Sequence, residues 1–257
     1  MDELVSGKKR THQPSYKQNF EYVPKPHTHT RAHTHTHTHT TMVEVRKYHL
    51  PPTSRMPNSP LPLLHYPSFF KNPTPSSVHD VVDSNGWRTH WIFRYGPNQA
   101  SHYHSAVHEC MIVLSGSARV RFGVADVLDE GQDIGDSASD DGQEVGGITL
   151  EANVGDVFVL PAGLAHKSYD PNATEPLGRL TPCDPHNVDD EVMRNVMPEI
   201  EVSGFTMLGS YPRNGSDWDF AIGGESEGDY ERVWSVVKPE KDPVLGKADE
   251  GICGQWK

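Results

Sequence analysis

The chain has 257 residues, 35% of them hydrophobic, with 21 Pro, 22 Gly and a formal charge of −12. That length can bury a core in one large domain or two small ones, and the Pro and Gly content suits many short strands and turns better than a helical bundle. The acidic balance works against a nucleic-acid partner, since phosphate binding needs concentrated Lys and Arg, and no run approaches the ~18 apolar residues of a membrane helix. Cys110, Cys183 and Cys253 form no CxxC pair and no even set. Neither a disulfide framework nor a zinc ribbon is therefore expected, and a reducing, cytoplasmic setting with a small-molecule partner fits.

Residues 1–41 differ from the rest. They lack an apolar core of the kind a secretory signal needs, and their low complexity predicts disorder. His27, His29, His33, His35, His37 and His39 alternate mostly with Thr. Such a tract can scavenge Ni, Cu or Zn, but a repeated CA dinucleotide read in frame yields the same string. The second reading is preferred and makes Met42 the expected start. Six basic and three acidic residues lie in this tail, which leaves 17 basic and 32 acidic in residues 42–257, or about −15.

Beyond Met42, RMPNSPLPLLHYPSFF carries Pro57, Pro60, Pro62 and Pro67. This spacing forbids a helix and predicts extended chain crossing a surface, anchored by Leu61, Leu63 and Leu64. From Trp87 to Leu160, the segments WIFRYG, CMIVLSG, SARVRFG, ITLEANVGD and VFVLPAG read as strands separated by turn residues. In SARVRFG, Ala118, Val120 and Phe122 alternate with Arg119 and Arg121, which predicts one apolar and one wet face. Between Asp126 and Glu144 lie eight carboxylates and no base. They lack the ladder of a calcium loop and are expected to form a mobile, solvated insertion. Later, GFTMLGSYP reads as a returning strand, and Tyr230, Val233, Trp234 and Val237 share a helical packing stripe that the prolines of KPEKDPVLG end. The class is all-β: an antiparallel sheet protein, closed or sandwiched as a barrel.

The stretch His102-Tyr-His-Ser-Ala-Val-His-Glu109 holds three histidines and a carboxylate. On an extended segment, His102 and His104 point to one side and Tyr103 to the other. Glu109, on the next strand, can return to that side, and His166 follows the rigid PAG turn. Imidazoles with one carboxylate suit Fe(II), Mn(II), Ni(II), Cu(II) or Zn(II), with positions left for substrate or dioxygen. His108 adjoins Glu109, so it is expected to face outward as a surface or inter-subunit histidine; a bulge would let it replace Glu109. Tyr103, Ser105 and Ser168 are candidate hydrogen-bonders to the ligands, or equally satisfy local backbone.

These residues resemble the two motifs of the cupin superfamily. G-x5-H-x-H-x4-E-x6-G is matched by Gly96, His102, His104, Glu109 and Gly116, and G-x5-P-x-G-x2-H-x3-N by Gly155, Pro161, Gly163 and His166, with Asp170 in the Asn position. The segments MPNSPLPLLHY, NGW, HYHSAVHE, GDVFVLPAGLAHK, GSYP and DPVLG extend the similarity to the YjlB-like group of single-domain cupins, across nearly all of residues 42–257. The resemblance implies one cupin (RmlC-like) double-stranded β-helix, a jelly-roll barrel with minor helical elements near the C-terminus. It implies metal ligands His102, His104, Glu109 and His166, with Fe(II) or Mn(II) favoured, and a substrate pocket on the inner barrel wall. It further implies a homodimer, to which the aromatic terminal segment would cross. The function expected is that of a metal-dependent oxygenase or oxidase acting on a small polar metabolite. A metal-using isomerase or lyase, and a non-catalytic binding or sensory cupin, are the alternatives; a storage role is less attractive.

Overall fold

The computed structural model describes residues 43–127, 143–170, 172–174 and 176–257. The His/Thr-rich tail and residues 128–142 of the acidic insertion lie outside them. In chain order the elements are strands β1 (Arg46–Tyr48) and β2 (Leu63–Tyr66), helix α1 (Pro75–Ser84), and strands β3 (Trp87–Arg94), β4 (His102–Tyr103), β5 (Glu109–Ser115), β6 (Ser117–Phe122), β7 (Ile148–Asn153), β8 (Val157–Leu160), β9 (His166–Tyr169) and β10 (Gly178–Arg179). Helix α2 (Asp190–Val196), strands β11 (Thr206–Pro212) and β12 (Ala221–Ile222), and the short helices α3 (Tyr230–Trp234) and α4 (Ile252–Gln255) complete the chain.

The strands form two antiparallel sheets, of order β1-β2-β8-β5-β11-β3-β10 and β12-β4-β9-β6-β7. Side chains from both sheets meet in one buried cluster: Trp91, Met111, Phe158 and Met207 from the larger, Val120, Phe122 and Ala152 from the smaller. The two sheets are thus the walls of a jelly-roll sandwich with its core between them. The larger sheet is covered on its other face as well. Ile92, Cys110, Ile112, Val159 and Leu208 pack there against Val78 and Val82 of α1, Met193 of α2 and Trp256. Burial on both faces explains why CMIVL is an unbroken apolar run, whereas β6 alternates. Each large side chain so buried stabilises the fold by about 1.5–3 kcal/mol.

Helix α1 was not among the elements expected from the sequence, yet its signals are local. Thr74 and Ser77 cap it reciprocally, each side chain accepting from the other's backbone N–H, and Pro75 takes the first turn. Three expectations need correction. The Pro-rich segment does not merely cross a surface, because Leu63–Tyr66 is fully buried as β2, paired between β1 and β8. The wet face of β6 is drier than alternation implied: Arg121 is buried and, with Lys167 opposite it on β9, shares the carboxylate of Asp126. The proposed stripe Tyr230–Val237 stops at Trp234, and Val237 is exposed. The terminal aromatics pack on their own chain, with Trp234 Nε1 donating to the carbonyls of Pro57 and Asn58 and Trp256 Nε1 to that of Pro62.

The β7–β8 turn supplies a pH prediction. Asp156 accepts hydrogen bonds from the N–H groups of Ser68 (2.7 Å) and Asn153 (3.0 Å), and His65 Nε2 lies 3.3 Å from its Oδ2. Burial raises its pKa, but the His65 contact and the two N–H donors outweigh that and hold it below the ordinary 3.8. A depressed carboxylate contributes stability that is present above its unfolded pKa, about 3.9, and lost as pH falls through the folded value. Urea midpoints at pH 6 and pH 3 should therefore fall further for the native protein than for Asp156→Asn. Equal pH sensitivity in the two would show that this carboxylate contributes nothing.

Candidate metal centre

Pairing of β4 with β9 sets His102 directly opposite His166, and the period-2 geometry brings His104 to the same side. Glu109 arrives from the other sheet, at the start of β5 opposite Leu160. The candidate nitrogens of His102, His104 and His166 all lie within 4.8 Å of one another. Glu109 Oε2 sits 3.3 Å from His104 Nε2 and 3.2 Å from His166 Nε2. All four residues are at most 4% exposed.

The orientation of each ring is set from behind. Nδ1 of His102 donates to the carbonyl of Ala100 at 3.0 Å, Nδ1 of His166 to that of Leu164 at 3.1 Å, and Nδ1 of His104 to that of Asp219. An imidazole that donates through Nδ1 carries the Nε2 lone pair outward, the form in which a histidine binds metal. Glu109 completes the set. Its Oε1 accepts from the Tyr211 hydroxyl at 2.7 Å, while its buried Oε2 has no hydrogen-bond donor. A buried, undonated carboxylate oxygen surrounded by imidazole nitrogens is costly unless a cation joins it. The residues present therefore fit a divalent ion.

Burial alone would raise the Glu109 carboxyl, but His104, His166 and the Tyr211 hydroxyl reverse this and hold it at about 2. His102 is held well below the usual imidazole range by burial and by the other two rings, and His166 is lowered mainly by burial. His104 alone is raised; burial works against its charge, and Glu109 and the Asp219 carbonyl overcome it.

Several residues at the site were not legible beforehand. Asp219 not only accepts a hydrogen bond from His104 Nδ1–H on its carbonyl but accepts from the Ser105 N–H on Oδ1 at 2.7 Å. Phe220 stacks on His102 (centroids 3.9 Å apart, 12° between planes) and Trp218 lies parallel to Tyr211 and stacked on His186. Phe220 is 48% exposed, so this roof is where the cluster approaches solvent. Among them, only Tyr211 lay in a segment picked out from sequence, GSYP; no spacing ties Asp219 to a histidine 115 residues earlier.

The remaining candidates fall elsewhere. His108 does point away from the cluster, as strand alternation requires, but it is buried and not a surface group. It accepts from the Ala162 N–H at 2.9 Å and packs on Trp256, and burial takes its pKa down to about 4. It does not replace Glu109. Tyr103 donates to Ser226 and Ser168 faces Gln99, so neither supports a ligand; Ser105 contributes its backbone N–H. Asp170, in the position where the cupin motif has Asn, accepts from the Asn172 N–H in a local turn.

No family model matches the chain. It is similar to the uncharacterized protein YjlB of Bacillus subtilis (strain 168), with 26% identity over 212 residues that cover 80% of this chain and 93% of the relative. Among solved structures it is similar to vicilin from Capsicum annuum (13% identity, TM-score 0.27, covering 67% of this chain and 33% of that one). It is also similar to ycfD of E. coli (15%, TM-score 0.24, 65% and 34%). The chain spans about a third of the length of these two solved structures. The two sheets form a jelly-roll sandwich, and it carries a histidine triad that could hold a metal ion.

Proposed function

We propose that this chain is a metal-binding cupin of the YjlB-like group, in which His102, His104, Glu109 and His166 hold a divalent transition metal. The resemblance favours Fe(II) or Mn(II), while three imidazoles and one carboxylate also suit Ni, Cu or Zn. The observation that carries this reading is the set of inward Nε2 lone pairs around the undonated Oε2 of Glu109. We read the protein as a metal-dependent enzyme of oxygenase or oxidase type acting on a small metabolite. When bound, the ion supplies Lewis-acid or redox chemistry. The chain's own groups then divide the remaining work. The three imidazoles would orient the ion and Glu109 would offset its charge; a substrate with a polar end to meet the ion fits such a centre.

One observation favours a second reading. Every polar group that the described contacts place against the four residues is already committed: Tyr211 to Glu109, and each Nδ1 to a carbonyl. With no uncommitted acid or base in contact, a binding or sensory role fits, as does isomerase or lyase chemistry confined to the ion. We also propose a homodimer in the cytoplasm. No helix among the described residues is long and apolar enough to cross a membrane. A monomeric mass in solution would remove the dimer.

The test is metal content of the full chain, purified without an added tag, beside His104→Ala and His166→Ala. Metal held by the His/Thr tail is common to all three and cancels in the comparison. The native protein is expected to hold about one equivalent of iron or manganese more than either variant, with circular dichroism unchanged. Equal metal in all three would show that the site is wrong. Oxygen uptake with hydroxy and keto acids then separates the enzyme readings: turnover insensitive to oxygen points to an isomerase or lyase, and no turnover to a binding protein.

A further inference from the structure

We infer that Tyr211 restricts Glu109 to binding the ion through one oxygen, and so keeps open a coordination position that the carboxylate would otherwise fill. This rests on the metal-centre reading above.

The two oxygens of Glu109 have different surroundings. Oε2 faces His104 and His166, whereas Oε1 is turned to the Tyr211 hydroxyl, which donates to it at 2.7 Å. A hydroxyl has one proton, and what matters is whether another acceptor competes for it. His104 Nε2 is a second acceptor within reach at 3.3 Å, but the Glu109 oxygen is nearer at 2.7 Å and charged, and a bound ion would take the Nε2 lone pair. Trp91 Nε1–H donates to the hydroxyl oxygen at 3.1 Å and takes one of its lone pairs. The indole reaches it by lying across β11 at Gly209, where an alanine methyl would fall 2.0 Å from Trp91 Cε2. The phenol ring itself is fixed by Trp218 on its face (5.7 Å, 4°) and by the edges of His90 and His104. The ring is 2% exposed.

A hydrogen bond from a hydroxyl to an ionised carboxylate is among the stronger neutral-to-charged contacts. To chelate the ion with both oxygens, Glu109 would have to give that bond up. With Tyr211 in place the chain supplies four donor atoms; with a chelating Glu109 it would supply five. In a six-coordinate site the difference is two open positions against one. Two are needed for a bidentate hydroxy or keto acid, or for one substrate atom beside dioxygen. Tyr211 thus acts through Glu109 as a positioning residue and sets how many substrate atoms the centre can take.

The test uses the full-length protein loaded with Mn(II), comparing water-proton relaxation in the native protein and in Tyr211→Phe, which preserves ring volume. The variant is expected to bind Mn(II) with an affinity within about 10–100-fold of native, and at saturation its relaxation enhancement should fall by roughly half, from two exchanging waters to one. Unchanged or increased enhancement at saturation overturns the inference, because Glu109 then gained no contact when its partner was removed. If Tyr211→Phe does not fold, a crystal structure of the Mn(II)-loaded native protein decides: Oε1 on Tyr211 and only Oε2 on the ion supports the inference, and both oxygens on the ion overturn it. A native protein that takes up no Mn(II), Fe(II) or Co(II) at its histidines overturns the metal-centre reading itself, which is distinguishable because no site signal then appears in any variant.

Discussion

Asp242→Ala should lower the unfolding free energy by about 4 kcal/mol, an order-of-magnitude figure built from buried hydrogen-bonding groups left without an acceptor at about 1–3 kcal/mol each, less what the site recovers by relaxing. Asp242 is fully buried. Its Oδ1 accepts from the N–H groups of Val244 and Leu245 at 2.9 Å each, and its Oδ2 from the Tyr66 hydroxyl at 2.6 Å and the Ile252 N–H at 3.1 Å. One carboxylate therefore satisfies four donors and ties β2 to the segment that delivers α4 and Trp256 onto the larger sheet. Burial and the neighbouring carboxylate push the Tyr66 hydroxyl far up, which favours the protonated form that donates. Asn at the same position keeps one oxygen acceptor and should cost roughly half as much. Urea unfolding of the three proteins checks this; a loss under about 1 kcal/mol for the alanine variant would mean that water replaces the carboxylate at no great cost.

Gly163→Ala should have an effect of similar size, about 3 kcal/mol, and should reach the metal centre as well. Gly163 has φ +87°, a left-handed conformation that disfavours any side chain by about 1–2 kcal/mol. An added methyl would also lie 2.4 Å from the Asn58 carbonyl oxygen and 2.7 Å from Val233 Cγ1, and a backbone carbonyl has little freedom to withdraw, so overpacking adds about 1–3 kcal/mol. The Gly163 N–H donates to the His104 carbonyl at 2.8 Å, three residues before His166. Strain at this turn therefore displaces one candidate ligand directly and a second along the chain. The measurement is thermal unfolding together with metal content. His166→Ala is expected to lose metal and stay folded, because the core is apolar and closed without it, whereas Gly163→Ala should lose both. Native-like stability and metal in Gly163→Ala would show that the turn yields more readily than its contacts indicate.

Both predictions turn on contacts of different range in the sequence. β6 was legible because apolar and polar residues alternate at the strand period, and Ala118, Val120 and Phe122 do line the core. Its Arg121 was misjudged, since alternation reports which face a side chain takes and not whether that face is dry; only the packing of Asp126 and Lys167 beside it decides that. His108 was misread in the same way: its direction followed from its neighbour, while its burial came from Trp256, almost 150 residues later. Helix α1 carried its caps in plain sight, yet ten residues with two buried valines are too few for periodicity to stand out.

The sequence by itself determined the all-β class and most of the strands, and it put His102 and His104 on one side of an extended segment, because strand alternation acts over a few residues. Only the tertiary structure decided that His166 and Glu109 join them, how the four are held and what surrounds them. Tyr211 reaches Glu109 across 102 residues, Asp219 reaches His104 across 115, and Asp242 reaches Tyr66 across 176. The physical reason is that hydrogen bonds between distant segments exist only once sheet order and register have brought those segments together, and no local spacing encodes them.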